Sequence, residues 1–131
     1  MAKLKVLVVC QCNLNRSPTV KAWLEAAFPE HEFKDAGLSY GYPNLLSMEL
    51  LNWADIILTM DMEQYTVIRL DLEHCASKKL RNIHCLGISD QYERDDPQLW
   101  EILDKMEVWY QLFSKTFLVP PTRKLRRKVY K

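Results

Sequence analysis

Short apolar runs and helical stripes alternate along most of this chain. Lys3 to Val9 is valine-rich and without polar alternation, the pattern of a parallel strand buried on both faces. Thr19 to Phe28 aligns Val20, Trp23, Leu24, Ala27 and Phe28 on one helical face, with Ser17 as its expected cap, Pro18 in its first turn and Pro29 as its stop. His31 to Ala36 predicts an edge strand closed by Gly37, and Ser39 to Asn44 a loop. Ser47 is the expected cap of a short helix carrying Met48, Leu50, Leu51 and Trp53, and Asp55 to Met60 predicts a third strand. Asp61 to Leu72 predicts a helix with Met62, Tyr65, Ile68 and Leu72 at helical spacing. A lysine-rich turn at Lys78-Lys79 leads to a fourth strand at Ile83 to Leu86, and Gly87 to Asp95 is polar and irregular. Pro97 opens the longest predicted helix, through Phe117, with Leu99, Ile102, Leu103, Met106, Trp109, Tyr110 and Phe113 as its stripe; Pro120-Pro121 stops it.

Strands alternating with helices imply an α/β fold, a parallel sheet with helices on both faces. In such folds ligands sit beyond the carboxyl ends of the strands, where the sheet order switches. The loops after the first, third and fourth strands, carrying Cys10, Asp61 and Gly87–Pro97, should therefore share one mouth. A chain of 131 residues fits one domain, expected over residues 1–119, with 120–131 as a basic tail.

Composition narrows the class. Hydrophobic residues at 48% and charged residues at 27% match a soluble globular protein. No apolar run reaches the roughly 18 residues of a membrane span, and the N-terminal run is too short for a signal peptide. The expected compartment is cytoplasmic. The net charge of +1 hides a division: six of the 18 basic residues and none of the 17 acidic ones fall in residues 121–131, leaving twelve against seventeen elsewhere. A mildly acidic body does not carry the electrostatic footprint of a nucleic-acid-binding domain. Cys10, Cys12, Cys75 and Cys85 lack the spacing of a zinc set, and a cytosolic protein keeps its thiols reduced.

The chemistry concentrates in Cys10-Gln11-Cys12-Asn13-Leu14-Asn15-Arg16-Ser17-Pro18. A cysteine at a strand end faces a loop that runs into a helix N-terminus, where backbone N–H groups curl around an anion and stabilise negative charge. The thiolate is the nucleophilic form of cysteine. Arg16 can offer parallel N–H donors to phosphate oxygens, Ser17 can donate to the sulfur, and Asn13 suits a left-handed backbone position. Read without chemistry, Cys10 would be a core cysteine and Arg16 a capping residue. The asparagine, the serine-proline pair and the strand-then-helix setting favour the anion loop.

The segment V-C-x-x-N-x-x-R-S-P resembles the phosphate-binding loop of the low molecular weight protein tyrosine phosphatases. Asp35-Ala36-Gly37 is similar to that family's S-A-G, Ala54 to Asp61 to its A-D-x-I-x-x-M-D segment, and Asp96-Pro97 to its D-P dipeptide. The likeness runs to about Phe117, nearest to a small bacterial and phage branch with a D-x-Y-x-x-x-D-P loop. It implies a four-stranded parallel sheet in the order 2-1-3-4, phosphotyrosine protein phosphatase I-like. It also implies hydrolysis of a phosphomonoester through a phosphocysteine, with Cys10 as nucleophile, Arg16 holding the phosphate and no cofactor or metal. Residues Gln11, Cys12, Asn13, Leu14, Asn15, Arg16 and Ser17 would bind the phosphate, with Asn13, Ser17 and Asp61 in support. Asp96 is the implied general acid; Asp90 and Asp95 are the alternatives in the same loop.

Two departures bear on the substrate. Gln11-Cys12 stands where the family has a small apolar residue and glycine, so a second thiol lies two residues from the first. Gln98-Leu99-Trp100 replaces the aromatics that follow D-P, leaving Tyr40, Tyr42 and Tyr92 to line the mouth. The expected partner is a phosphorylated protein or a small phosphomonoester, with phosphate-like oxyanions as ligands. Competing functions are a non-catalytic phosphoprotein-binding module and a thiol-dependent arsenate reductase relaying through Cys75 and Cys85.

Overall fold

A computed structural model describes residues 3–42, 44–74 and 82–113. Its elements are β1 (Lys5–Cys10), α1 (Arg16–Ala27), β2 (Glu32–Gly37), α2 (Met48–Trp53), β3 (Ile56–Thr59), α3 (Met62–His74), β4 (Ile83–Cys85), α4 (Pro97–Lys105) and α5 (Val108–Phe113). The four strands form one parallel sheet in the order β2-β1-β3-β4. The expected turn at Lys78-Lys79, residues 114–117 of the last helix, Pro120-Pro121 and the basic tail lie outside the described residues.

Side chains alternate across β1, and each face is buried by its own helices. Val6, Val8 and Cys10 join Val20, Trp23, Leu24, Phe28, Leu99, Trp100 and Leu103 in one cluster. Leu7 and Val9 join Leu51, Ala54, Ile57, Ile68, Leu72 and Ile83 in the other. Burial on both faces is why the strand reads as an unbroken apolar run. The chain leaves β1 for β2 on one side and returns for β3 on the other, so the switch of order falls between β1 and β3. Cys10, at the carboxyl end of β1, lies there opposite Gly37.

Three expectations change. The single helix from Pro97 is broken at Met106, whose backbone is extended, into α4 and α5. The break turns Trp109 so that its indole N–H donates to the Leu103 carbonyl (2.8 Å) while Trp109 and Phe113 reach the rings of Trp23 and Phe28. One straight stripe could not make both contacts. Ser17 is not the cap of α1 but its second residue; Asn15 stands at the cap position without a side-chain cap bond. Cys85, which the sequence suggests is buried, is half-buried because β4 is a three-residue edge strand. Ser47 does cap α2, accepting from Leu50 N–H.

Candidate active site

Five residues between β1 and α1 turn around the sulfur of Cys10. Asn13 takes a left-handed conformation (φ 58°), which asparagine tolerates, and this aims its N–H at Cys10 Sγ, 3.1 Å away. Ser17 Oγ lies 3.0 Å from the same sulfur and 2.7 Å from Asn13 Oδ1. The hydroxyl has one proton and two acceptors. With a thiol, the S–H gives to Ser17 and Ser17 gives to Asn13. With a thiolate, the Ser17 proton turns to the sulfur and joins the Asn13 N–H, so negative charge there meets two donors. That is why Ser17 serves the loop rather than the helix end.

The start of the loop is clamped from the β2 side. Leu38 and Ser39 N–H both donate to the Gln11 carbonyl, at 2.8 and 2.9 Å. The Gln11 amide donates to Ser39 Oγ (2.8 Å), and Cys12 Sγ lies 3.9 Å from that oxygen. Gly37 permits the approach: a Cβ there would stand 2.9 Å from Asn13 N and from the Cys12 carbonyl carbon. Cys12, half-buried, sits within this clamp.

Arg16 is 3% exposed. Its Nη1 donates to Asp61 Oδ2 (3.1 Å) and to the Ile88 carbonyl (2.8 Å), which uses both Nη1 protons. The Nε/Nη2 edge is left for the cavity, and Nε pairs with Asp90 Oδ1 at 3.4 Å. Asp61 directly precedes α3, and its Oδ1 accepts from the N–H groups of Glu63 and Gln64. Gln64, which the sequence reading did not single out, completes a capping box: its Oε1 accepts from Met60 and Asp61 N–H. The available signal was D-x-x-Q at a strand-to-helix junction, four residues before the core residue Ile68.

Cys10, Gln11, Cys12, Leu14, Asn15, Arg16 and Asp90 line a cavity of about 160 Å³. A shallower groove of about 430 Å³ adjoins it, sharing Gln11, Arg16 and Asp90 and adding Asp61, Met62, Glu63 and Gln64. Among the described residues, no tyrosine lines either. Tyr40, 87% exposed, borders a different groove beside α2 and α3; Tyr42 is exposed; Tyr92 packs against the core, because its ring finds apolar cover there. Among the three aspartates, Asp90 lines the cavity. Asp96 does not: it caps α4, its Oδ1 accepting from Gln98 N–H at 2.9 Å. Asp95, at φ 60°, donates its N–H to Thr19 Oγ1 (2.8 Å). The described residues contain no cluster of three or more metal-ligating side chains, and no helix among them is long and apolar enough to cross a membrane.

A parallel four-stranded sheet with this loop at its switch point defines an architecture found in solved structures. The chain superposes on Vibrio vulnificus Wzb in complex with benzylphosphonate, with a TM-score of 0.60 over 98% of this chain and all of that one, at 17% identity. It matches the Erwinia amylovora tyrosine phosphatase AmsI over 74% of this chain and 78% of that one, at 22% identity and a TM-score of 0.55. The arginine phosphatase YwlE from Geobacillus stearothermophilus aligns over 95% and 84%, at 17% and 0.51. No protein-family model matches the chain, and no curated protein is significantly similar in sequence. The chain has the fold of the low molecular weight protein tyrosine phosphatases.

Proposed function

We propose that this protein is a cysteine-dependent phosphomonoester hydrolase acting on phosphorylated protein side chains, with phosphotyrosine as the first substrate to try. The observation that carries the reading is one small cavity lined by both Cys10 and Arg16, whose Nη1 protons are committed elsewhere and whose Nε meets only the exposed carboxylate of Asp90. It is smaller than the roughly 300 Å³ at which drug-sized pockets begin. It therefore takes a compact charged group and leaves the rest of the substrate in the adjoining groove. The oxyanion replaces Asp90 on Arg16 Nε, and the loop amides and guanidinium meet the charge on its equatorial oxygens.

The Cys10 thiolate attacks phosphorus as the ester oxygen departs, taking a proton from a carboxylic acid. The resulting phosphocysteine is hydrolysed when the same carboxylate takes a proton from water. Inorganic phosphate leaves and the thiolate returns. Asp90 is supported as this acid by its position at the cavity, whereas Asp96 already accepts a backbone bond at the start of α4. Solved relatives described as tyrosine and arginine phosphatases keep both leaving groups open. Unpaired thiols at Cys10, Cys12 and Cys85 suit a reducing compartment.

Hydrolysis of p-nitrophenyl phosphate between about pH 5 and 7 tests the reading, with Cys10→Ser expected to reduce turnover below detection. A wild-type protein that binds phosphate without turnover would instead support the phosphoprotein-binding reading.

A further inference from the structure

Gln64 is 1% exposed, and its polar atoms are committed in one orientation. Oε1 accepts from Met60 N–H (3.1 Å) and Asp61 N–H (3.0 Å), so the amide cannot flip without setting donor against donor. Nε2 is thereby fixed toward Asp61 Oδ2, at 3.1 Å. That oxygen is the one that accepts from Arg16 Nη1. A capping box alone needs the backbone bonds and the Asp61 Oδ1 contacts; it does not need the bond to Oδ2.

We propose that Gln64 is a positioning residue for oxyanion binding: by holding Asp61 Oδ2 it sets the roll of the Arg16 guanidinium and the direction of its Nε/Nη2 edge. The inference rests on the phosphatase reading of the Cys10 cavity. Without the Nε2 bond, Asp61 is held through Oδ1 alone, its Oδ2 can swing about that anchor, and the Ile88 carbonyl becomes the firmer of the two partners on Arg16 Nη1. Its donors then no longer converge on the cavity. A residue that orients a ligand-binding group through one intermediate typically contributes about tenfold or more in affinity.

Gln64→Glu separates this role from helix capping. The carboxylate still accepts from Met60 and Asp61 N–H, but near neutral pH it meets Asp61 Oδ2 with charge in place of a donor. The probe is inorganic phosphate, its affinity measured by calorimetry across pH 5–8 on protein shown to be folded by circular dichroism. We expect about tenfold weaker binding at pH 7.5 than in the wild type, narrowing toward pH 5 as the paired carboxyls take up a proton. kcat/KM for p-nitrophenyl phosphate should fall in parallel. A folded Gln64→Glu protein with wild-type affinity at every pH overturns the proposal. Gln64→Met, similar in length and without hydrogen bonds, should weaken phosphate binding at all pH values alike. If the glutamate variant does not fold, wild-type affinity in the methionine variant overturns the proposal. The unmutated protein gives a third measure: the Gln64 side-chain amide resonances should shift on saturation with phosphate, and unmoved resonances overturn it as well. A wild type that neither binds phosphate nor hydrolyses the ester refutes the phosphatase reading itself, a result distinct from all of these.

Discussion

Between Cys10 and Arg16 the chain is held at almost every residue. The sulfur accepts from the Asn13 N–H and lies against Ser17 Oγ, the Gln11 carbonyl accepts two N–H groups, and the arginine is buried. Between Ile88 and Asp96 the chain is held only at intervals. Ile88 bonds to Met60 and Arg16, Tyr92 leans on the core, and Asp95 hangs on Thr19, while the Asp90 side chain is 74% exposed. The two loops meet at one cavity, and on the phosphatase reading they have different tasks. Groups that stabilise charge work best when fixed in advance, since they then need no reorganisation during the reaction. A group that must give a proton to a departing oxygen and later take one from water needs room to approach both.

The contrast can be broken most strongly at the aspartates. Asp90→Asn should lower kcat for an aryl phosphate by about 10²- to 10⁴-fold, the usual contribution of a general acid. Asp96→Asn should cost far less, because an amide oxygen can still accept from Gln98 N–H. Steady-state kinetics on the pair decides the assignment, and the reverse ranking would return the role to Asp96.

One glycine beside each loop sharpens the comparison further: Gly37 at the end of β2, and Gly87 directly before Ile88. Gly37→Ala puts a methyl carbon against backbone on the fixed side, where nothing can yield cheaply. It should cost about 1–3 kcal/mol in denaturant unfolding and lower kcat/KM by shifting Asn13 and Cys12. Gly87→Ala meets open space, so only its left-handed backbone (φ 70°) resists, at about 1–2 kcal/mol. Its kcat/KM should fall less than that of Gly37→Ala; an equal fall would mean the second loop is as tightly specified as the first.

Much of this was legible in the sequence for identifiable reasons. The central strands β1 and β3 are nearly unmixed apolar runs because the middle of the sheet is covered on both faces, and Cys10, Asn13, Arg16 and Ser17 converge because their spacing is local. What was not legible depends on contacts across the fold. The break at Met106 follows from where Trp23 and Phe28 stand, far away in sequence. That Asp90 faces Arg16 while Asp96 caps α4 was not visible in the D-P spelling, because both positions are set by contacts of the folded chain. Gln64 reads as an ordinary helix residue until Arg16 is seen beyond Asp61.

The smallest predicted effect lies outside both loops. Burial lowers the pKa of His84 on β4 below its ordinary 6.5. The folded state therefore disfavours the protonated ring, and the unfolded chain binds more protons as pH falls below about 6.5. Stability contributed by neutral His84 is present above that pH and is lost below it. His84→Gln should flatten the decline in melting temperature between about pH 7 and 5; an unchanged slope would assign the decline to other groups.

Because Ser89 to Arg94 runs between the anchors at Ile88 and Asp95, its excursions belong to the nanosecond-to-microsecond range of short loops. Turnover for a typical enzyme takes on the order of 0.1 s. On the phosphatase reading, Asp90 would leave and rejoin Arg16 many thousands of times within one catalytic cycle. Its ion pair sets a population and imposes no waiting time. On the phosphatase reading, turnover is set at the sulfur–phosphorus bond, and a solvent-viscosity series on kcat should come out flat.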